Sequence, residues 1–124
     1  MKIAIDLDNT ITASKESIEF FSILTHLLIP ENKIYILTNR EPNTEQQIAD
    51  ELDYFEIEYS EIVITANKAR YIRDNNITIF FENTDEYFLE LGEEVTVFKI
   101  REDGNFSFAD KKWIGSKTTT KMID

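Results

Sequence analysis

Five short apolar runs punctuate the chain, and most of them stop abruptly at a polar residue. Lys2-Ile3-Ala4-Ile5 stops at Asp6, Ile34-Tyr35-Ile36-Leu37 at Thr38, and Ile79-Phe80-Phe81 at Glu82. Runs this short and this rich in branched residues predict buried strands, placed here over 2–6, 33–37, 61–65, 77–81 and 95–100. Between them, apolar positions recur at helical spacing. Ile18, Phe21, Leu24 and Leu28 predict a helix over 14–28 with Ser14 as its N-cap. Ile48, Ala49 and Leu52 predict a second over 44–52. Shorter helices are expected over 67–75 and over 86–91, the latter stopped by Gly92. Glu102-Asp103-Gly104-Asn105 predicts a hairpin turn, with 105–109 returning as a ribbon and Trp113 near the sheet edge.

Strand and helix in alternation predict an α/β fold. Its centre is a mostly parallel sheet of about five strands, with right-handed crossovers, helices on both faces and a C-terminal β-hairpin. The 124 residues suit one domain, expected over 1–115, followed by a polar tail over 116–124. No repeat, linker or low-complexity stretch interrupts it.

Composition narrows the chemistry. Nine Phe and five Tyr allow a substantial core. No run approaches the ~20 apolar residues of a membrane span, so no membrane partner is expected. The chain has no cysteine and a single histidine, His26, in the middle of the first helix. Thiolate and His-cluster metal sites are therefore excluded. With Met1-Lys2 leading straight into a strand and no disulfide, the expected location is cytoplasmic. A net charge of −11 argues against nonspecific binding to nucleic acid. It permits a phosphorylated substrate where a cation and local bases reverse the field.

Four stretches fit one cleft. The first is Asp6-Leu7-Asp8-Asn9-Thr10. Open α/β sheets bind ligands at the C-terminal ends of their strands, which is where Asp6 and Asp8 fall. Two carboxylates this close repel unless a cation intervenes, and a hard ion such as Mg²⁺ suits oxygen ligands. The second is Thr38-Asn39-Arg40, whose hydroxyl and N–H groups can hold phosphate oxygens. The third is Lys68, near a helix start, where it adds positive charge. The fourth is Glu82-Asn83-Thr84-Asp85, which ends a very apolar strand in a carboxylate.

In order and spacing these stretches resemble the haloacid dehalogenase superfamily, over roughly residues 2–100. Its phosphatases carry Asp-x-Asp-x-Thr, a strand-terminal Thr or Ser, a Lys and an acidic pair. The first motif is matched in full, whereas Glu82-Asn83-Thr84-Asp85 departs from the usual acidic pair. The resemblance implies a Rossmann-like three-layer fold and Mg²⁺-dependent hydrolysis of phosphate monoesters. Asp6 would be the nucleophile that becomes an aspartyl-phosphate, and Asp8 the general acid and base. Mg²⁺ would sit on Asp6, the Asp8 carbonyl and Glu82, with Asp85 or Asn83 completing its shell. Thr38 and Lys68 would bind the phosphoryl group, with Asn39 and Arg40 as further substrate contacts. No stretch is long enough for a cap domain, so the cleft would be open. It would admit a phosphorylated small molecule, an exposed phosphate on a larger partner, or a second subunit as cover. Uncapped chains of this type resemble deoxyribonucleotidase-like and polynucleotide-end phosphatases. Tyr54, Tyr59, Tyr87 and Phe88 are further candidates for substrate contact.

Three rival readings use the same residues. A phospho-accepting receiver domain would need its acceptor Asp after a later strand, which this chain lacks. A metal-dependent glycosyltransferase also uses Asp-x-Asp, but needs a longer chain. The alternative that stays open is a non-catalytic binding or scaffold domain on the same fold.

Overall fold

The computed structural model describes residues 1–114. The tail expected over 116–124 lies outside the described residues. Five strands form one wholly parallel sheet: β1 (Lys2–Ile5), β2 (Lys33–Thr38), β3 (Glu61–Ile64), β4 (Ile79–Glu82) and β5 (Thr96–Lys99). Their spatial order is β3-β2-β1-β4-β5. The register sets Ile5 opposite both Ile36 of β2 and Phe81 of β4. β1 is thus central, and the chain order reverses across it. At such a switch point the connections leave the strand ends in opposite directions and open a crevice.

Alternation along the strands divides the core into two layers. Ile3, Ile5, Ile34 and Ile36 face one side, with Phe21 of α1 (Lys15–Leu28) and Ile48 and Leu52 of α2 (Glu45–Tyr54). Ala4, Tyr35, Leu37 and Phe80 face the other, with Ile72 of α3 (Lys68–Asp74). Helices therefore cover both faces, as the strand-helix rhythm predicts. The caps follow the sequence too. Ser14 accepts from Ser17 N at 2.9 Å, and the Asn67 side chain accepts from Arg70 N at 3.1 Å. His26 is exposed on α1, with Nδ1 2.7 Å from the Ser22 carbonyl.

Between β1 and β2 the chain holds only a 3₁₀ turn (Ile11–Ala13) and α1, and between β2 and β3 only α2. Neither connection contains a second domain. Among the described residues, no helix is long and apolar enough to cross a membrane.

The structure departs from expectation after β4. The helix expected over 86–91 is a single 3₁₀ turn, Asp85–Tyr87. Six residues are too few to hold an α-helix on their own hydrogen bonds, and packing of Tyr87, Phe88 and Leu91 onto the second core layer decides the path instead. The turn at 102–105 forms, with Asn105 Oδ1 accepting from Glu102 N at 2.8 Å. It does not fold the next strand back onto β5. The antiparallel hairpin is instead β6 (Phe106–Ser107) paired with β7 (Lys112–Trp113). Trp113 still reaches the sheet edge, where Lys99 Nζ of β5 lies 3.9 Å from its ring centroid.

Candidate active site

The loop after β1 is built by its own sequence. Leu7 and Ile11 are fully buried and pin the loop at two points. Between them the chain reverses through Asn9, whose φ of 60° lies in the left-handed region that Asn tolerates better than most residues. Thr10 returns beneath the strand end, where its Oγ1 donates to Asp6 Oδ2 at 2.9 Å. Asp6 is thereby fixed at the end of the central strand, almost wholly buried, while Asp8 on the far side of Leu7 stays half exposed.

Lys68, the first residue of α3, reaches in from the second core layer. Its Nζ donates to Asp6 Oδ1 at 2.8 Å and to Glu82 Oε1 at 2.7 Å. Burial alone would depress this ammonium, but the charges of Asp6 and Glu82 and their hydrogen bonds outweigh it and hold its pKa above the usual lysine range. The cost appears on Glu82. Burial, then repulsion from Asp6, push its carboxyl up to about 8 despite Lys68 and the backbone bond from Thr84. Tyr87 covers the cluster, its ring centroid 4.2 Å from Lys68 Nζ and its hydroxyl accepting from Asn39 Nδ2 at 2.9 Å. Thr38 ends β2 beside it and is buried.

A cleft of about 250 Å³ collects most of the expected residues: Asp6, Asp8, Thr38, Asn39, Lys68 and Glu82. Asn83 and Tyr87 line it as well. Two expected residues lie elsewhere. Arg40 turns aside to Asp8 and Glu51, and lines a neighbouring surface with Thr44 and Gln47. Asp85 pairs with Lys99 at 2.6 Å and lines an adjoining cleft with Glu102 and Asn105. Of the aromatic candidates only Tyr87 lines the cleft. Tyr59 and Phe88 pack on the core layers, and Tyr54 is exposed on α2.

Thr10 and Glu51 carry contacts that the sequence reading left without a role, and Asn83, expected there only as one of two candidates to complete a metal shell, bonds to both carboxylates. With its amide nitrogen turned inward, Asn83 donates to Glu82 Oε2 at 2.9 Å and to Asp6 Oδ2 at 3.0 Å. That orientation is assigned from the hydrogen-bond network. Thr10 stands inside a motif already marked out, which is the signal that could have found it. Glu51 is one acid among several on α2, and nothing in its spacing sets it apart.

The donor set suits a hard divalent cation. It offers carboxylate and amide oxygens, and with Glu82 ionised the cluster of Asp6, Glu82 and Lys68 carries one negative charge more than its single cation offsets. Among the described residues, no three carboxylate, imidazole or thiolate groups gather on one point. A cation here would therefore need amide or main-chain oxygens beside the carboxylates. Both Glu82 oxygens are already engaged, Oε1 by Lys68 and Oε2 by the N–H groups of Asn83 and Thr84 at 3.1 and 3.2 Å. Asp6 Oδ2 and the Asn83 amide, which a half-turn would present oxygen-first, are the better-placed side-chain donors. No family model, characterised protein or solved structure matches the chain.

Proposed function

We propose that this protein is a Mg²⁺-dependent phosphomonoester hydrolase of haloacid dehalogenase type, without a cap. The observation that carries the reading is the buried Lys68–Asp6 contact at the end of the central strand, in a cleft shared with Asp8 and Thr38. An ammonium against one oxygen and the Thr10 hydroxyl against the other hold the Asp6 carboxylate in place at the strand end for attack. The sheet order also weighs against a receiver domain. In the receiver order 2-1-3-4-5 the first strand lies between the second and third, whereas here β1 lies between β2 and β4.

In this reading Asp6 attacks phosphorus, and the P–O bond to the leaving group breaks. Asp8 gives the departing oxygen its proton, and Asp6 now carries the phosphoryl group. Asp8 then takes a proton from water, and the oxygen of that water attacks phosphorus. Inorganic phosphate leaves and the Asp6 carboxylate is restored. Thr38 and Lys68 donate hydrogen bonds to the phosphoryl oxygens as charge builds on them. Glu82 holds Lys68 at Asp6, and Thr10 holds the far side of the same carboxylate. Mg²⁺, held by Asp6, the Asp8 carbonyl and the Asn83 amide oxygen, would offset charge and align the phosphoryl group.

The test is phosphate release from aryl phosphates, nucleotides, sugar phosphates and phosphorylated ends, with and without Mg²⁺, beside Asp6→Asn purified in parallel. Metal-dependent release by wild type alone is the expected result. Absence of release with every substrate would favour a binding or scaffold domain.

A further inference from the structure

We infer that Arg40 is a positioning residue that acts through Asp8, and that α2 sets its position through Glu51; the inference rests on the phosphatase reading. Arg40 follows β2 and reaches Asp8 in the loop after β1. Its Nε donates to Asp8 Oδ2 at 3.0 Å and its Nη2 to Asp8 Oδ1 at 2.8 Å. On its other side Nη2 donates to Glu51 Oε1 at 3.0 Å, and Nη1 to Glu51 Oε2. One planar guanidinium thus bridges two carboxylates, each through both oxygens. A lysine could not do this, because an ammonium is a point charge without the fork.

The arrangement has a mechanical consequence. Asp8 stands half exposed on a loop. Proton transfer requires a catalytic group within hydrogen-bond reach of its target and correctly aimed. The Arg40 fork supplies that aim, using one lone pair on each Asp8 oxygen and leaving the other for the leaving group or for water. Glu51 does the same for Arg40. A strand end, a helix and a loop distant in sequence are tied together at the one side chain that moves protons.

This role separates from substrate binding in a double-mutant cycle read on two esters. kcat/KM is measured for an alkyl phosphate, whose poor leaving group needs a proton, and for an activated aryl phosphate, which does not. Arg40→Ala is expected to lower kcat/KM for the alkyl ester by about 10²-fold, the low end for a general acid, and far less for the aryl ester. In an Asp8→Asn background it should cost nothing further. Arg40→Lys, which keeps the charge and covers the case in which Arg40→Ala fails to fold, should recover only part of the loss. Glu51→Gln should show the same pattern more weakly. An equal loss on both esters, or a loss that persists beside Asp8→Asn, would overturn the inference and return Arg40 to substrate binding or to stability alone. An inactive wild type would instead remove the phosphatase reading, and this role with it.

Discussion

Lys68 and Asp6 lie 62 positions apart in the chain and 2.8 Å apart in the fold, both almost wholly buried. Glu82 completes the contact from the neighbouring strand at 2.7 Å. Such a cluster is weak evidence for stability, because desolvating three charges offsets most of their attraction. An apolar triad of similar volume would pack as well. Two carboxylates and an ammonium at the switch-point crevice of the sheet are what the proposed chemistry would require.

Removing only the cation should be costly. Lys68→Met leaves Asp6 and Glu82 facing each other without compensation, and breaking a buried pair in this way costs about 3–5 kcal/mol. Urea denaturation above about pH 8, where Glu82 is ionised, should show that loss. Since Glu82 takes up a proton below about 8, the loss should shrink as pH falls through that value. A Lys68→Met protein as stable as wild type above about pH 8 would mean that the cluster is far wetter than its burial indicates.

The raised pKa of Glu82 gives a second test. Its carboxyl titrates near 4.5 in the unfolded chain and near 8 in the folded one. Between these values the folded state holds a proton that the unfolded state has released. The Glu82 contribution to stability is therefore full below about pH 4.5 and is lost as pH rises through about 8. Glu82→Gln, which cannot ionise, should flatten this decline in metal-free protein and raise the melting temperature most at pH 8. An unchanged pH profile in Glu82→Gln would assign the decline to other groups.

Much of this was legible in the sequence, and the reasons are physical. Buried parallel strands need continuous apolar runs, so β1, β2 and β4 announce themselves, and the polar residue ending each must lie at the same sheet edge. Asp6, Thr38 and Glu82 could be placed in one cleft on that ground, and Lys68, at the start of α3, joined them through the order of the motifs. What could not be read was which partner each side chain chooses. Arg40 follows a strand end and resembles a substrate contact, yet two acids from different elements claim it. Asp85 stands in the fourth motif but is drawn to Lys99 on the edge strand. The 3₁₀ turn at Asp85–Tyr87 escaped for a related reason, since packing of Tyr87 over Lys68 outweighs a weak local helical pattern.

Asp6→Asn tests the nucleophile directly. The amide keeps the shape, its one oxygen can still accept from Lys68 and its NH2 can donate to Thr10 Oγ1, so circular dichroism should be unchanged. Phosphate release should fall by about 10⁴-fold or more, as when other enzymes lose a covalent nucleophile. Turnover at the wild-type rate would remove Asp6 from that role.

The metal shell is tested by asking which residue near Glu82 answers to Mg²⁺. A ligand that binds only the folded state raises its stability, by about 2.7 kcal/mol at a hundredfold excess over Kd. Mg²⁺ should therefore raise the melting temperature of the wild type, most at about pH 8 and above, where it offsets the charge of an ionised Glu82 beside Asp6. Asn83 lies beside Asp6 Oδ2 inside the cleft, whereas Asp85 is held by Lys99 in the adjoining one. Asn83→Ala should thus lose most of the Mg²⁺-induced shift, and Asp85→Asn should keep it. The comparison is internal, because both variants remove a polar group from the same motif. A shift retained in Asn83→Ala and lost in Asp85→Asn would mean that metal binding draws Asp85 away from Lys99, and would move the shell across the Glu82 turn.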